Sequence, residues 1–271
     1  MKLGYFQIFL SPNDQYHLFA KDKSVEPRKE FLSRFFRSGF TFVHRKKTYH
    51  YAFVYENDQL IQGRIGRSIE IDANEGPERR LEPAKFKHWK AYDIFVDTRD
   101  VVDGQKILAG PLSGNLVSIF DSLANIMTEN TKFYIANINP IVEKSTFWEA
   151  YRSHIGDIKM AKFLFVAPNI WGARDRLNAE LKQLALKNNV QTVEVDYSNA
   201  AGNLKLDGEE ISEAVDYAVD GGGSVSLYSK GGKIFDSRNK ESIKSVNIDE
   251  DKGFVTKIFA KLRSEQKILR M

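Results

Sequence analysis

The sequence contains no cysteine in its 271 residues. The chain therefore cannot form a disulfide, a thiolate nucleophile, a Cys-x-x-Cys redox pair or a cysteine-ligated zinc site. This absence excludes the disulfide-stapled secreted scaffold and the zinc finger together. The remaining composition, 42% hydrophobic and 28% charged residues, is typical of one or two globular domains.

Long hydrophobic runs are also missing. Residues 1–10 are mostly apolar, but the apolar stretch ends at Ser11 and Pro12 and no small-residue cleavage site follows, so we interpret it as a first strand. Runs elsewhere, such as 163–167, are far shorter than the roughly 20 residues that a membrane-spanning helix needs. We therefore predict a soluble, cytoplasmic protein that does not associate with a membrane.

Motifs for catalysis and metal binding are sparse. The five histidines are scattered, without a His-x-x-x-His pair, and no Gly-x-Ser-x-Gly motif occurs. The glycines at 221–223 and 231–232 lack the Gly-Lys-Ser/Thr sequence of a phosphate loop, so we interpret them as hairpin turns. The sequence predicts no metal and no cofactor, and it assigns no catalytic residue.

Hydrophobic periodicity predicts a β-rich first half. An apolar stripe at helical spacing indicates a short amphipathic helix between Pro27 and Gly39. Alternation then predicts an antiparallel meander, and residues 72–90 have a loop-like composition with Gly76, Pro77 and Pro83. The strands are predicted at 41–44, 49–55, 60–65 and 92–96.

The second half predicts helices that alternate with strands. The helices are predicted at 115–127, 145–156, 169–188 and 209–219, and the strands at 132–138, 160–166, 190–195, 224–230 and 233–236. We therefore predict an α+β fold, with an N-terminal antiparallel β-meander and a short helix, and a C-terminal ferredoxin-like βαβ-type sheet with helices and a final hairpin. A domain boundary is predicted near 112, giving domains at 1–112 and 113–271. A single continuous domain is the alternative.

Positive charge is concentrated near the N-terminus. The chain carries 40 Lys and Arg against 36 Asp and Glu, a net charge of +4, yet residues 21–50 alone hold nine cations against three acids. Such clustering is what phosphate recognition requires. The aromatics Phe42, Tyr49 and Tyr51 either stack on bases or form the core face of the sheet, and the core interpretation is favoured. The candidate phosphate contacts are Arg34, Arg37, Arg45, Lys46 and Lys47.

Two other functions are weighed against nucleic-acid binding. Two pairs, Arg37 with His44 and Arg45 with His50, are similar to the Arg and His pattern of some helical ribonucleases, but strand alternation places such residues on opposite strands or faces. An acidic helix at 207–220 and a basic C-terminal helix at 252–271 instead suit a protein partner or a homo-oligomer. The alternatives are therefore a ribonuclease-type effector or toxin that acts on phosphodiesters, and a protein-interaction subunit or inhibitor.

The order of several short motifs resembles a known family. Gln62-Gly63-Arg64-Ile65-Gly66-Arg67, Tyr92-Asp93-Ile94-Phe95-Val96-Asp97, Gly104-Gln105-Lys106-Ile107, residues 163–169 and the glycines at 221–223 follow one another as in an uncharacterised family of bacterial proteins found in phage-defence settings. The resemblance implies a cytoplasmic defence component. It transfers no catalytic residue, because the matching positions are glycines and strand residues.

These observations lead to one functional hypothesis. We expect a non-catalytic component of bacterial antiviral defence that binds or senses nucleic acid through its basic segment. DNA and RNA are not distinguished, since both present phosphate and the sequence contains no recognised base-reading module.

Overall fold

Strands dominate the part of the chain that the structure describes and form two antiparallel sheets there. A computed structural model describes residues 2–13, 25–57, 60–97, 106–111, 116–166, 183, 187–188 and 190–247. The strands are β1 (Lys2–Pro12), β2 (Phe40–His44), β3 (Lys47–Asn57), β4 (Leu60–Asn74), β5 (Pro83–Asp97), β6 (Lys106–Pro111), β7 (Tyr134–Pro140), β8 (Ile158–Val166), β9 (Thr192–Ser198), β10 (Gly223–Ser229), β11 (Gly232–Asp236) and β12 (Ser245–Asn247). The helices are α1 (Arg28–Arg37), α2 (Leu116–Glu129), α3 (Lys144–Arg152) and α4 (Glu209–Tyr217).

The larger sheet has eight strands. Its order is β12-β1-β6-β5-β4-β3-β2, and β7 also pairs with β1. Strand β1 is buried along residues 3–10, which explains why its sequence is apolar at every one of these positions except Gln7 and lacks alternation. Helices α1 and α2 cover one face of this sheet and share its hydrophobic core.

Helix α1 is anchored to the sheet by its aromatic stripe. Phe31, Leu32, Phe35 and Phe36 are all buried, as the helical spacing predicts. The Tyr51 hydroxyl donates a 2.7 Å hydrogen bond to the Phe36 carbonyl, which ties the last turn of the helix to β3. The core interpretation of the aromatics in this region is confirmed, because Phe42, Tyr49 and Tyr51 are buried.

Glycine at one position of β4 makes room for that anchor. A Cβ atom at Gly63 would overlap the ring and hydroxyl of Tyr51. The absent side chain therefore lets the Tyr51 ring lie across β4 and reach helix α1. Burial raises the pKa of the Tyr51 hydroxyl, so the group stays protonated as a donor.

Strands β4 and β5 continue far beyond their neighbours. They pair without interruption from Leu60↔Asp97 to Asn74↔Pro83, whereas the β3 pairing with β4 reaches only His50↔Gly66. The loop interpretation of 72–90 is therefore wrong for most of that segment. Because most side chains there are exposed, the two strands carry charged residues on both faces and lack the alternation that marks a half-buried strand.

The smaller sheet has four strands in the order β11-β10-β8-β9. A second hydrophobic core connects it to α3 and α4. Strands β8 and β9 are antiparallel neighbours, from Met160↔Ser198 to Val166↔Thr192. The predicted α+β class is confirmed, and the helix predicted at 169–188 lies outside the described residues except at 183 and 187–188.

The two hydrophobic cores divide the described chain unequally. The first core consists of buried residues between Phe6 and Ile138, together with Ile243, and the second of buried residues between Val142 and Phe235. The predicted boundary near residue 112 lies within the stretch that supplies the first core, and the division into two domains stays a prediction. In the part of the chain that the structure describes, no helix is both long and apolar enough to cross a membrane.

Candidate nucleic-acid interface

The two candidate arginines of α1 are each paired with an acid. Arg34 makes a bidentate contact with Glu26, with its Nε and Nη2 atoms 2.8 and 2.9 Å from the two carboxylate oxygens. The Arg37 Nε atom donates to Glu56 of β3. Hydrogen bonding to Arg34 lowers the pKa of Glu26, so this carboxylate stays charged. The neighbouring carboxylates therefore largely compensate the positive charge of both arginines.

The other three candidates lie at the tip of the β2–β3 hairpin. His44 pairs with Lys47, so the two-residue turn consists of Arg45 and Lys46. Both turn residues have positive φ, 46° and 63°, as the hairpin turn that matches strand twist requires. Arg45, Lys46 and Lys47 are all exposed, and none of them forms an ion pair within the described parts of the chain.

The histidines considered for ribonuclease chemistry are held apart. His44 is 8% exposed and its ring nitrogens lie 2.9 Å from the Ser122 hydroxyl and 3.1 Å from the Ser118 hydroxyl. Burial, followed by the positive charge of Arg45, lowers the pKa of His44. His50 lies on the opposite face of the hairpin, 3.1 Å from the Thr41 hydroxyl. With Arg37 bonded to Glu56, the structure does not assemble these residues into one site.

A pocket opens beside the hairpin tip. Its volume is about 360 Å³. It is lined by Arg45, by Val117, Ser118 and Asp121 of α2, and by Arg238, Asn239 and Lys240 of the segment after β11. Three cations and one carboxylate therefore surround the space. Sequence reasoning missed this site because its three segments are far apart in the chain.

The segment after β11 is fixed by local hydrogen bonds. The Asp236 carboxylate accepts a 2.9 Å bond from the Arg238 backbone N–H, and the Asp236 carbonyl accepts one from Asn239. The Asn239 side-chain oxygen in turn accepts from the Glu241 N–H at 3.3 Å. The Arg238 guanidinium reaches across to Asp121 of α2. The cations of this segment are thus presented by an ordered turn that is tied to the first core.

The extended part of β4 and β5 adds a second exposed feature. We call residues 67–74 and 83–90 the ribbon; its eight residue pairs span about 25 Å at the usual rise per residue. Since β2–β5 are successive antiparallel strands, the ribbon projects from the same end of the sheet as the hairpin tip. Trp89 is 56% exposed on the ribbon, with its ring 5.1 Å from that of His50. The exposed cations on its second strand are Lys85, Lys87 and Lys90.

The features proposed for protein contacts are described only in part. Helix α4 carries Glu209 and Glu210 in its first turn, where the helix dipole favours negative charge, and Asp216 is paired with Lys144 of α3. The predicted basic helix at 252–271 lies outside the described residues. A protein partner or homo-oligomer stays a prediction.

Groups able to hold a metal ion are absent from the described ranges, where no three His, Asp or Glu side chains are gathered. The expectation that the protein uses no metal and no cofactor stays a prediction.

Comparison of this chain with family models, with curated proteins and with solved structures finds no match in any of the three.

Proposed function

We propose that the protein is a non-catalytic nucleic-acid-binding component of bacterial antiviral defence, and that the hairpin tip holds the phosphate backbone. The observation that carries this proposal is the exposure of Arg45, Lys46 and Lys47 without an acidic partner among the described residues. Cations that are already paired gain little by meeting phosphate, because they must first lose a carboxylate. Unpaired cations release the counterions of the nucleic acid and gain affinity from that release.

The shape of this end of the sheet supports the same proposal. A two-stranded hairpin fits into the major groove of a duplex, and cationic grooves with exposed aromatic rings suit single strands. The hairpin tip supplies the first feature, and Trp89 with the ribbon lysines supplies the second. The proposal covers both DNA and RNA, which share the phosphate chemistry.

The test is fluorescence-anisotropy binding of labelled single- and double-stranded DNA and RNA over a salt series. The key variant reverses all three tip charges, Arg45→Glu, Lys46→Glu and Lys47→Glu. Each lost phosphate contact lowers the slope of log K against log salt by about 0.9, so we expect the slope to fall by about 3 and the affinity at low salt to fall on the order of 100-fold.

A matched control separates the tip from the net charge of the chain. The variant Lys132→Glu, Lys159→Glu and Lys187→Glu changes the net charge by the same amount at exposed positions elsewhere. It should keep most of the affinity. Equal losses in the two triple variants, or no binding by the wild-type protein, would contradict the proposed interface.

Substrate integrity on a gel tests the non-catalytic part of the proposal. We expect the nucleic acid to remain intact during the binding experiment. Cleavage that disappears in a His44→Ala and His50→Ala variant would favour the ribonuclease alternative instead.

The defence setting is supported by the motif resemblance alone. Bacteria that express the wild-type protein with its neighbouring genes should resist phage infection, and the tip-reversal variant should not. Unchanged plaque counts with both proteins would contradict the defence role and leave nucleic-acid binding to be judged by its own experiment.

A further inference from the structure

We propose that the pocket beside the hairpin tip binds a phosphate monoester, either the terminal phosphate of a nucleic-acid strand or that of a free mononucleotide. The strand-end version rests on the proposed nucleic-acid binding. The pocket itself was not part of that proposal, which concerns the backbone contacts of the hairpin tip.

The size of the pocket fits a small anionic group with part of its nucleoside. Its volume of about 360 Å³ lies at the lower end of the range of roughly 300–1,000 Å³ for small-molecule sites. A terminal phosphate with part of its nucleoside is a group of this size.

The charge of the lining favours a monoester over a diester. Arg45, Arg238 and Lys240 contribute three positive charges and Asp121 one negative charge, so the lining has a formal excess of +2. A phosphate monoester carries about −1.5 to −2 at neutral pH, whereas a backbone diester carries a single negative charge. The lining therefore compensates a terminal phosphate more fully than an internal one.

The donors around the pocket are of the kinds that phosphate prefers. Asp121 forms an ion pair with one side of the Arg238 guanidinium, whose other N–H groups can still donate to a phosphate. Arg45 contributes a second guanidinium to the lining. Val117, Ser118 and Asp121 of α2 line another side of the same space. These contributions add to the attraction of Lys240.

The position of Arg45 connects the pocket to the proposed interface. This residue belongs both to the hairpin turn and to the pocket lining. A strand whose backbone crosses the tip can therefore place its terminal phosphate in the pocket without leaving the basic surface. This continuity makes the strand end the expected source of the monoester.

The experiment compares oligonucleotides of one sequence with a 5′-phosphate, a 3′-phosphate or only hydroxyl ends. We expect one phosphorylated end to bind about tenfold tighter than the hydroxyl end, since charge-assisted hydrogen bonds are worth about that factor. The Lys240→Gln and Arg238→Gln variants should each lose most of this preference. Lys240 forms no ion pair with the described residues, so its replacement leaves the Asp121 contact intact.

A matched control and a second ligand identify the source of the phosphate. Lys159→Gln, an exposed lysine of the smaller sheet, should keep the end preference. Titration calorimetry with adenosine monophosphate and with adenosine then tests the free nucleotide. Tight binding of the monophosphate, equal to that of the phosphorylated strand and lost in Lys240→Gln, would assign the pocket to a mononucleotide.

The possible failures are distinguishable. If hydroxyl-ended strands bind through the tip but neither a terminal phosphate nor the mononucleotide changes anything, the pocket proposal is overturned and the proposed function stands. If no strand binds while the mononucleotide does, the proposed function fails and the pocket proposal stands. An end preference that survives both Arg238→Gln and Lys240→Gln would place the terminal phosphate elsewhere and overturn the pocket assignment.

Discussion

Helix α1 and the β2–β3 hairpin tip are both rich in cations, yet they present them differently. In α1, Arg34 and Arg37 are bonded to Glu26 and Glu56, and the Nε atom of Arg28 donates to the Leu10 carbonyl at 3.1 Å. At the tip, the exposed turn residues Arg45 and Lys46 form no ion pair with the described residues. Two segments that are similarly rich in Lys and Arg thus differ: bonds within the protein hold the arginines of α1, whereas the charges at the hairpin tip have no acidic partner among the described residues.

This difference shows that the number of Lys and Arg residues in a segment of sequence does not give the positive charge that a ligand meets. Exposed ion pairs contribute little to stability, about 0–1 kcal/mol each, but they cancel much of the field that a distant phosphate would meet. Charge available for recognition therefore depends on which acids the fold brings close. The main role of α1 is to supply apolar packing, whereas the tip supplies charge.

The largest effect that separates the two regions is expected from Phe36→Ala. Phe36 is fully buried and packs edge-to-face on Phe35 and Tyr51. Its truncation should lower the free energy of unfolding by about 3–5 kcal/mol, because it leaves a cavity beneath α1. Urea unfolding measures the change. The folded fraction should still bind nucleic acid with the wild-type salt slope, and a lowered slope would assign α1 a direct binding role.

The second effect acts on the tip and moves stability and binding in opposite directions. Replacing Arg45 by Asn and Lys46 by Gly places residues that tolerate positive φ in the turn, where both native residues have φ in the left-handed region. We expect a gain of about 1 kcal/mol in the free energy of unfolding. The salt slope of binding should fall by about 2, because two phosphate contacts are removed.

A single substitution in the β10–β11 hairpin provides a control for the loss of a cation. Changing Lys230, whose Nζ atom lies 3.9 Å from an Asp157 carboxylate oxygen, to Asn removes one cation from that hairpin without affecting the proposed interface. Its salt slope should equal that of the wild-type protein. A stabilised tip variant that binds as tightly as the wild type would show that the tip cations do not contact phosphate.

A third, smaller effect concerns pH and the residue that joins the tip to the core. Burial and the neighbouring Arg45 lower the pKa of His44, an effect that Asp121 partly opposes. In the unfolded chain His44 takes up a proton near pH 6.5, whereas the folded protein resists it, so acidification from about pH 7.5 to 5 should destabilise the fold. A His44→Asn variant should lack this part of the pH dependence in urea unfolding series.

The serine partners allow a check on that assignment. Ser118 and Ser122 carry no charge, so Ser122→Ala should weaken the fold at every pH without removing the acid-dependent loss. If His44→Asn and the wild type lose equal stability between pH 7.5 and 5, another group causes the acid sensitivity.

Local sequence signals predict the elements that have one buried face. The stripe of α1 and the alternation of β2 and β3 are of this kind, and the structure places both as predicted. The ribbon has no buried face and contains Pro83 and many charges, so its composition is that of a loop. The pocket depends on tertiary contacts such as Arg238 to Asp121, which are 117 residues apart in the chain. No short motif could have indicated it.

The five candidate cations illustrate the same limit at the level of single residues. Residue type and clustering identify all five in the sequence, but pairing with acids decides which of them can contact a ligand. Glu56 lies at the far end of β3, 19 residues from Arg37, beyond the irregular register between Phe53 and Tyr55. Its approach to α1 follows from strand pairing and helix packing together, which a charge count over 21–50 does not include.

The smallest effect tests the compensation directly. Replacing Glu56 by Gln removes the carboxylate that faces the Arg37 guanidinium and leaves the Arg37 charge uncompensated. If the freed guanidinium reaches the nucleic acid, the salt slope steepens by at most about 0.9, with little change in stability because the lost pair is an exposed one. Arg37→Gln alone should leave the salt slope at its wild-type value. The double variant Glu56→Gln and Arg37→Gln should have that same slope. A loss of affinity in Arg37→Gln equal to that in Arg45→Gln would mean that pairing with Glu56 does not remove Arg37 from recognition, and the contrast between helix and tip would fail.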